Sequence, residues 1–306
     1  MSKITKALEK AARERLQRVQ EHATVSVKQP ELALASIRET AAAESSPVAS
    51  GSIRIDPHIV SAVDPGSPIG EQYRILRTNL QSLRLRSGAK VIAVTSAVHE
   101  EGKSVTSINL ALALARQEQA RVALVDADLR KGTIHTWLGL GERTDGLSTV
   151  LANGGAVNGS LVKLESPPLH ILPAGPIPEA PAELLESSAM KRLLSVLRTQ
   201  YDYVIIDTPP VIPVADLSIV AAQSDGVLFV VRAGKTQRKT VAQAQEMLQR
   251  AKVNVLGCVL THVEYYLPGY YRYYHYYRYG KDGNKQPETG REPQAASSKE
   301  NLKLVA

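Results

Sequence analysis

Gly102-Lys103-Ser104 closes the stretch Ala97-Val98-His99-Glu100-Glu101-Gly102-Lys103-Ser104, and two acidic sets follow it: Asp126-Ala127-Asp128-Leu129-Arg130 and Asp207-Thr208-Pro209-Pro210. A loop of the first kind, opening a helix, turns backbone N–H groups and the positive end of the helix dipole toward an anion. Lys103 is spaced to reach the β- and γ-phosphates of a nucleotide, and the Ser104 hydroxyl to ligate Mg²⁺. The first glycine of the usual G-x-x-x-x-G-K-[ST] pattern is Ala97 here. An acid in the position of Asp207 holds such an ion through its water shell. Arg130 reads two ways, as a phosphate contact or as the partner of a nearby acid.

Each of these sets ends an apolar run: Val91-Ile92-Ala93-Val94, Val122-Ala123-Leu124-Val125 and Tyr203-Val204-Ile205-Ile206. Short continuous runs of this kind are expected of strands buried on both faces of a parallel sheet, where ligands gather at the carboxyl ends. Ile108, Leu110, Leu112 and Leu114 predict a helix directly after the loop. Further strands are expected at Leu169 to Leu172, Val227 to Val231 and Val255 to Leu260. Helices are expected from Pro68 through Leu85, from Pro181 to Arg198 and from Thr236 to Ala251. The alternation predicts an α/β fold: a doubly wound, mainly parallel sheet of the P-loop NTPase type with helices on both faces.

Composition narrows the function classes. The 306 residues are 43% hydrophobic with a net charge of +7, and the basic residues are spread along the chain, so nucleic acid is not an expected partner. A single cysteine, Cys258, expected in the core, excludes an intrachain disulfide framework and any metal site that takes two thiolates from one chain. No run of 18 apolar residues and no signal-peptide core is found, so the chain is expected to stay in the cytoplasm unless a partner tethers it to a membrane. Ile4, Leu8, Ala12, Leu16 and Val19 give residues 2–20 an amphipathic helical pattern, and residues 29–67 read as a linker. Three segments follow: 1–67, a domain over 68–264, and a tail over 265–306 expected to be disordered. Nine of the chain's twelve tyrosines lie in that tail, at Tyr265, Tyr266, Tyr270, Tyr271, Tyr273, Tyr274, Tyr276, Tyr277 and Tyr279. Glu71, Arg74 and Arg77 share one face of the Pro68 helix, and by themselves read as a solvated stripe.

Taken together, Glu71-x-x-Arg74-x-x-Arg77, the loop ending in Gly102-Lys103-Ser104, Asp126-x-Asp128-x-Arg130, Ile206-Asp207-Thr208-Pro209-Pro210 and the tyrosine tail resemble the bacterial tyrosine kinases. Those enzymes autophosphorylate on a C-terminal tyrosine cluster and govern capsule or exopolysaccharide assembly. The resemblance, over roughly Gly70 to Tyr279, implies ATP and Mg²⁺ as cofactors. It implies that Ala97, Glu101, Gly102, Lys103, Ser104 and Val105 line the nucleotide phosphates. Ser104, Asp128 and Asp207 would hold the metal, and Asp126 would accept the proton of the incoming tyrosine. The catalytic set is then Lys103, Asp126 and Asp128. Glu71, Arg74 and Arg77 would build a ring of subunits, each offering its tyrosines to a neighbour. Implied partners are a separate membrane chain-length regulator that activates the kinase at the inner face of the membrane and a cognate tyrosine phosphatase.

The chain departs from the family's pattern in places. His99-Glu100 stands where Pro-Gly is common, which is expected to weaken nucleotide binding by adding a carboxylate near phosphate and removing a glycine suited to positive φ. Glu179-Ala180 replaces a usual Pro-Asn, and Thr261-His262 stands where related ATPases carry a base-reading asparagine. Two other readings share the fold: a spatial-regulator ATPase of the partition type, which carries an extra lysine where this chain has Val98, and a non-catalytic scaffold.

Overall fold

The computed structural model describes residues 54–263, apart from 142–144, 158 and 214–215, together with the backbone of 302–305. The expected N-terminal helix, the linker up to residue 53 and the tyrosine cluster lie outside the described residues.

Among the described residues eight strands form one sheet: β1 (Val91–Ser96), β2 (Val122–Asp126), β3 (Val162–Glu165), β4 (Pro168–Leu172), β5 (Tyr203–Asp207), β6 (Gly226–Arg232), β7 (Val255–Thr261) and β8 (Leu302–Val305). Their order is β3-β4-β2-β5-β1-β6-β7-β8. The strands from β4 to β7 in that order pair in parallel, and the edge strands β3 and β8 are antiparallel. The doubly wound sheet expected from the sequence is the sheet observed.

Every residue of β1, β2 and β5 is buried. Period-two geometry divides them between two cores. Val91, Ala93, Val204 and Ile206 join one; Ile92, Val94, Tyr203 and Ile205 join the other. The second core is roofed by α1 (Val60–Val63), α2 (Pro68–Ser87) and α3 (Lys103–Ala115). All thirteen residues of α3 are buried, so the helix that follows the Gly-Lys-Ser loop is clamped rather than solvated. Ser67 Oγ caps α2 by accepting the Gly70 N–H, and Pro68 fits the first turn, where its missing N–H costs nothing. A Cβ on Gly70 would stand 2.5 Å from the Pro65 carbonyl oxygen, so only glycine lets the chain before α2 fold against it.

Four features differ from the sequence reading. Residues 54–67, read as the end of a linker, pack on the domain: Ile59 is wholly buried, and Ser61 N–H donates to Asn109 Oδ1 at 2.8 Å. The helix expected from Pro181 to Arg198 is two, α6 (Pro181–Glu186) and α7 (Ser188–Gln200), after the short α4 (Ile134–Trp137) and α5 (Leu147–Ala152). Ser187, extended at φ −58°, ψ 158°, breaks it and caps α7 through the Met190 N–H. β3 was not anticipated. In the tail expected to be disordered, 302–305 form β8 against β7. The remaining helices, α8 (Asp216–Ala221) and α9 (Arg238–Arg250), complete the other face. Cys258 is half-buried at the border of that core.

Candidate active site

Parallel pairing brings the polar sets together. Val94 and Asp207 are partners across β1 and β5, and Asp126 and Asp207 across β2 and β5, so the loops after these strands emerge side by side at one edge of the sheet. Lys103, at the start of α3, sits between them. Its Nζ lies 3.0 Å from Asp128 Oδ2, 3.8 Å from Asp207 Oδ2 and 3.3 Å from Ser104 Oγ.

The loop is braced from behind. Glu101 is buried, and its carboxylate accepts the Val98 N–H at 2.8 Å, the Arg232 N–H at 3.4 Å and the Thr236 hydroxyl. Thr261 Oγ1 donates to the Glu101 carbonyl at 2.9 Å. The Glu101 side chain thus ties the loop to the end of β6 and to Thr236, and its backbone carbonyl ties it to β7. Gly102 has φ 91° and a Cβ there would meet Thr261 Cγ2 at 3.3 Å, so both backbone conformation and space call for glycine. Ala97 and Val105 are buried beside the loop.

Glu100 adopts φ 62°, the left-handed conformation expected of a position suited to glycine. Its carboxylate points outward and pairs with Lys235 Nζ at 2.8 Å. The expectation of a free carboxylate crowding the phosphates is corrected: Lys235 first of all holds the Glu100 carboxyl below its ordinary range.

The acids carry strained charge. Burial, and then the facing Asp207, push Asp126 up to about 8. Asp207 is also raised, by burial, against the pull of Lys103. Burial works against the Lys103 charge, yet Asp207 and Asp128 outweigh it and the ammonium is raised. Asp126 is enclosed completely, with Oδ1 accepting the Asp128 N–H at 3.2 Å and Oδ2 the Ile134 N–H at 3.1 Å. It therefore shapes the turn that presents Asp128. Ser107, one helical turn after Lys103, donates to Asp207 Oδ1 at 3.0 Å. Asp207 Oδ2 is buried without a hydrogen-bond partner.

Among the described residues no cluster of three or more His, Cys, Asp or Glu could enclose a metal. Magnesium bound with nucleotide does not need one, since it keeps several waters and takes one or two carboxylates plus phosphate oxygens. Ser104, Asp128 and the orphaned oxygen of Asp207 fit that demand.

Arg130 pairs with an acid: Nε lies 2.7 Å from Asp216 Oδ2 and Nη2 3.1 Å from Oδ1, a two-pronged clamp from the β2 loop to α8. Asp216, Ser107 and the bracing role of Glu101 were missed in the sequence. Only Ser107 left a signal, its one-turn spacing from Lys103. His262, in the stretch where related ATPases carry a base-reading asparagine, is buried at φ 58°. Glu71, Arg74 and Arg77 stand apart from this centre. Arg74 pairs with Glu71 and donates to the Pro65 carbonyl at 3.3 Å, and Arg77 donates to the Ala113 carbonyl at 3.2 Å. They are partly buried, not a solvated stripe.

Residues 89–255 match the family described as an AAA domain, AAA_31. The tyrosine-protein kinase YwqD of Bacillus subtilis is 39% identical over 224 residues, covering 71% of this chain and 92% of its own. A Ralstonia nicotianae chain named EpsB is 36% identical over 217 residues, which is 71% of this chain but 28% of EpsB. The kinase domain of the Escherichia coli tyrosine kinase ETK superposes with a TM-score of 0.62 at 31% identity, covering 66% of this chain and 78% of that one. Kinship of this extent, on a sheet that gathers a loop lysine and three strand-end aspartates at one edge, means that the chain belongs to the bacterial tyrosine-protein kinases.

Proposed function

We propose that this kinase transfers the γ-phosphoryl group of ATP to the tyrosines of residues 265–279 on a neighbouring copy. The observation that carries the reading is the meeting of Lys103 with Asp128 and Asp207, at 3.0 and 3.8 Å, where buried parallel strands end. Lys103 exchanges those carboxylates for the β- and γ-phosphate oxygens and steadies the charge that shifts during transfer. Ser104, Asp128 and Asp207 would hold magnesium, which would offset phosphate charge when bound. Ser107 fixes the Asp207 carboxylate through its Oδ1. Asp126 takes the phenolic proton as the tyrosine oxygen bonds to phosphorus and the bond to the β-phosphate oxygen breaks. To accept that proton Asp126 must be ionised, which burial and the facing Asp207 resist. That step requires the enclosed Asp126 to be uncovered by the arriving substrate.

The resemblance extends the proposal to assembly and setting. Glu71, Arg74 and Arg77 join subunits in a ring, a separate membrane chain-length regulator recruits and activates the kinase at the inner membrane face, and a tyrosine phosphatase reverses its action. The process governed is capsule or exopolysaccharide assembly. Among the described residues no helix is long and apolar enough to cross a membrane. The test incubates the purified chain with labelled ATP, Mg²⁺ and the cytoplasmic segment of that regulator, followed by phosphotyrosine detection. Label on tyrosine is expected; labelled nucleotide turnover without phosphotyrosine would favour the partition-type ATPase.

A further inference from the structure

Away from the acidic centre, the first half of α2 and the end of α3 enclose a cavity of about 450 Å³ lined by Arg74, Arg77 and Arg116, with Gly66 and Gly70 among its walls. Glu71 pairs with Arg74 from outside the lining, while among the described residues no acid forms a salt bridge with Arg77 or Arg116. Backbone carbonyls hold the arginines in place. Arg77 reaches the Ala113 carbonyl near the end of α3, and Arg116 Nε and Nη2 grip the Ser61 carbonyl at 3.1 and 2.9 Å. A cation at a helix C-terminus is stabilised by the dipole, so Arg77 and Arg116 are positioned at little cost. A guanidinium has five N–H donors in a planar fork, and such carbonyl contacts leave others for a second partner. Phosphate monoesters match that fork in shape and carry about −1.5 to −2 charges near neutrality.

The chain itself supplies such a ligand. β8 runs beside α2, the helix of Arg74 and Arg77, and pairs with β7 so that Leu302 faces Thr261. In sequence the nine tyrosines lie between β7 and β8.

We propose that the Arg74/Arg77/Arg116 cavity is a phosphotyrosine site for the C-terminal cluster. The ligand chemistry rests on the autokinase reading above.

A synthetic, fluorescently labelled peptide of residues 268–281, phosphorylated at Tyr274 or unmodified, tests this independently of whether the chain phosphorylates itself. Binding is measured by polarisation to the phosphatase-treated full chain with ADP and Mg²⁺ saturating the active site. The phosphopeptide should bind at least about tenfold more tightly than the unmodified one, and Arg116→Gln or Arg77→Gln should each remove about that factor, as expected for one charge-assisted pair. Arg116→Lys, keeping the charge, should restore part of it, and thermal unfolding verifies that each variant is folded. Equal binding of the two peptides, displacement of the phosphopeptide by ADP, or insensitivity to both arginine variants would overturn the site. Inorganic phosphate competing as strongly as the phosphopeptide would make it a general anion pocket and overturn the assignment to the tail. Absence of self-phosphorylation combined with tight phosphopeptide binding would sink the autokinase reading and leave the site standing.

Discussion

The two edges of the same sheet treat aspartate in opposite ways. At the amino ends of the strands, Asp225 accepts the N–H groups of Lys90 and Val91 at 2.7 and 2.8 Å and pairs with Arg198 at 2.7 Å. Asp202 similarly accepts the Arg121 N–H at 3.0 Å and meets Arg84 at 3.2 Å. Burial opposes both charges, but amide donors and arginines outweigh it and both carboxyls titrate below their ordinary range. At the carboxyl ends, Asp126, Asp128 and Asp207 crowd one buried lysine, and Asp126 and Asp207 are raised. The first arrangement is complete and stabilises the fold. The second is short of positive charge, with three carboxylates around one ammonium. Stability and chemistry are thus carried by opposite ends of the same strands.

Breaking the active edge at its cation should have the largest effect. Lys103→Met leaves the aspartates without their ammonium and should lower tyrosine phosphorylation by about 10³-fold or more, measured as initial rate with labelled ATP. Next, Asp126→Asn and Asp207→Asn should separate two roles on this edge. The first should reduce transfer by about 10²- to 10⁴-fold while nucleotide binding changes little; the second should impair both. Calorimetric nucleotide titration alongside the kinase rate distinguishes them, and equal loss of binding would deny Asp126 a separate part.

The amino edge should respond in stability instead. Asp225→Asn exchanges charge-assisted hydrogen bonds for weaker ones and should cost about 2 kcal/mol at neutral pH. Because the folded carboxyl titrates below its unfolded value of 3.8, this contribution is present above that value and is lost as pH falls through the folded one. The difference in unfolding midpoint between Asp225→Asn and the parent chain should accordingly shrink below about pH 4. The smallest effect is expected at Glu100. Its carboxylate is exposed and neutralised by Lys235, so Glu100→Gly should change nucleotide affinity by less than about twofold.

Much of the active edge could be read from the sequence because its residues follow uninterrupted apolar runs. Val91 to Val94, Val122 to Val125 and Tyr203 to Ile206 are buried on both faces, so nothing but strand fits them, and parallel pairing then forces their ends together. What escaped was set by tertiary partners. Ile59 lies in an Ala- and Pro-rich neighbourhood that gives no period, although it is wholly buried. Ser187 sits within a continuous helical pattern, and its break shows only in backbone angles. The partner of Arg130, Asp216, lies 86 residues away, beyond any spacing rule. Glu101 resembles a loop residue beside phosphate, yet its carboxylate is consumed by Val98, Arg232 and Thr236.

The central claim is that the lysine and aspartates of the carboxyl edge phosphorylate the tyrosines of another copy. It is tested by mixing two versions of the chain, one intact at Lys103 but ending before Tyr265, the other carrying Lys103→Met and the full tyrosine cluster. After incubation with ATP, Mg²⁺ and the regulator's cytoplasmic segment, phosphosites are mapped by mass spectrometry. The account predicts phosphate on tyrosines of residues 265–279 of the Lys103→Met chain in the mixture and none when that chain is incubated alone. Phosphotyrosine on the Lys103→Met chain by itself, or none in the mixture, would contradict it.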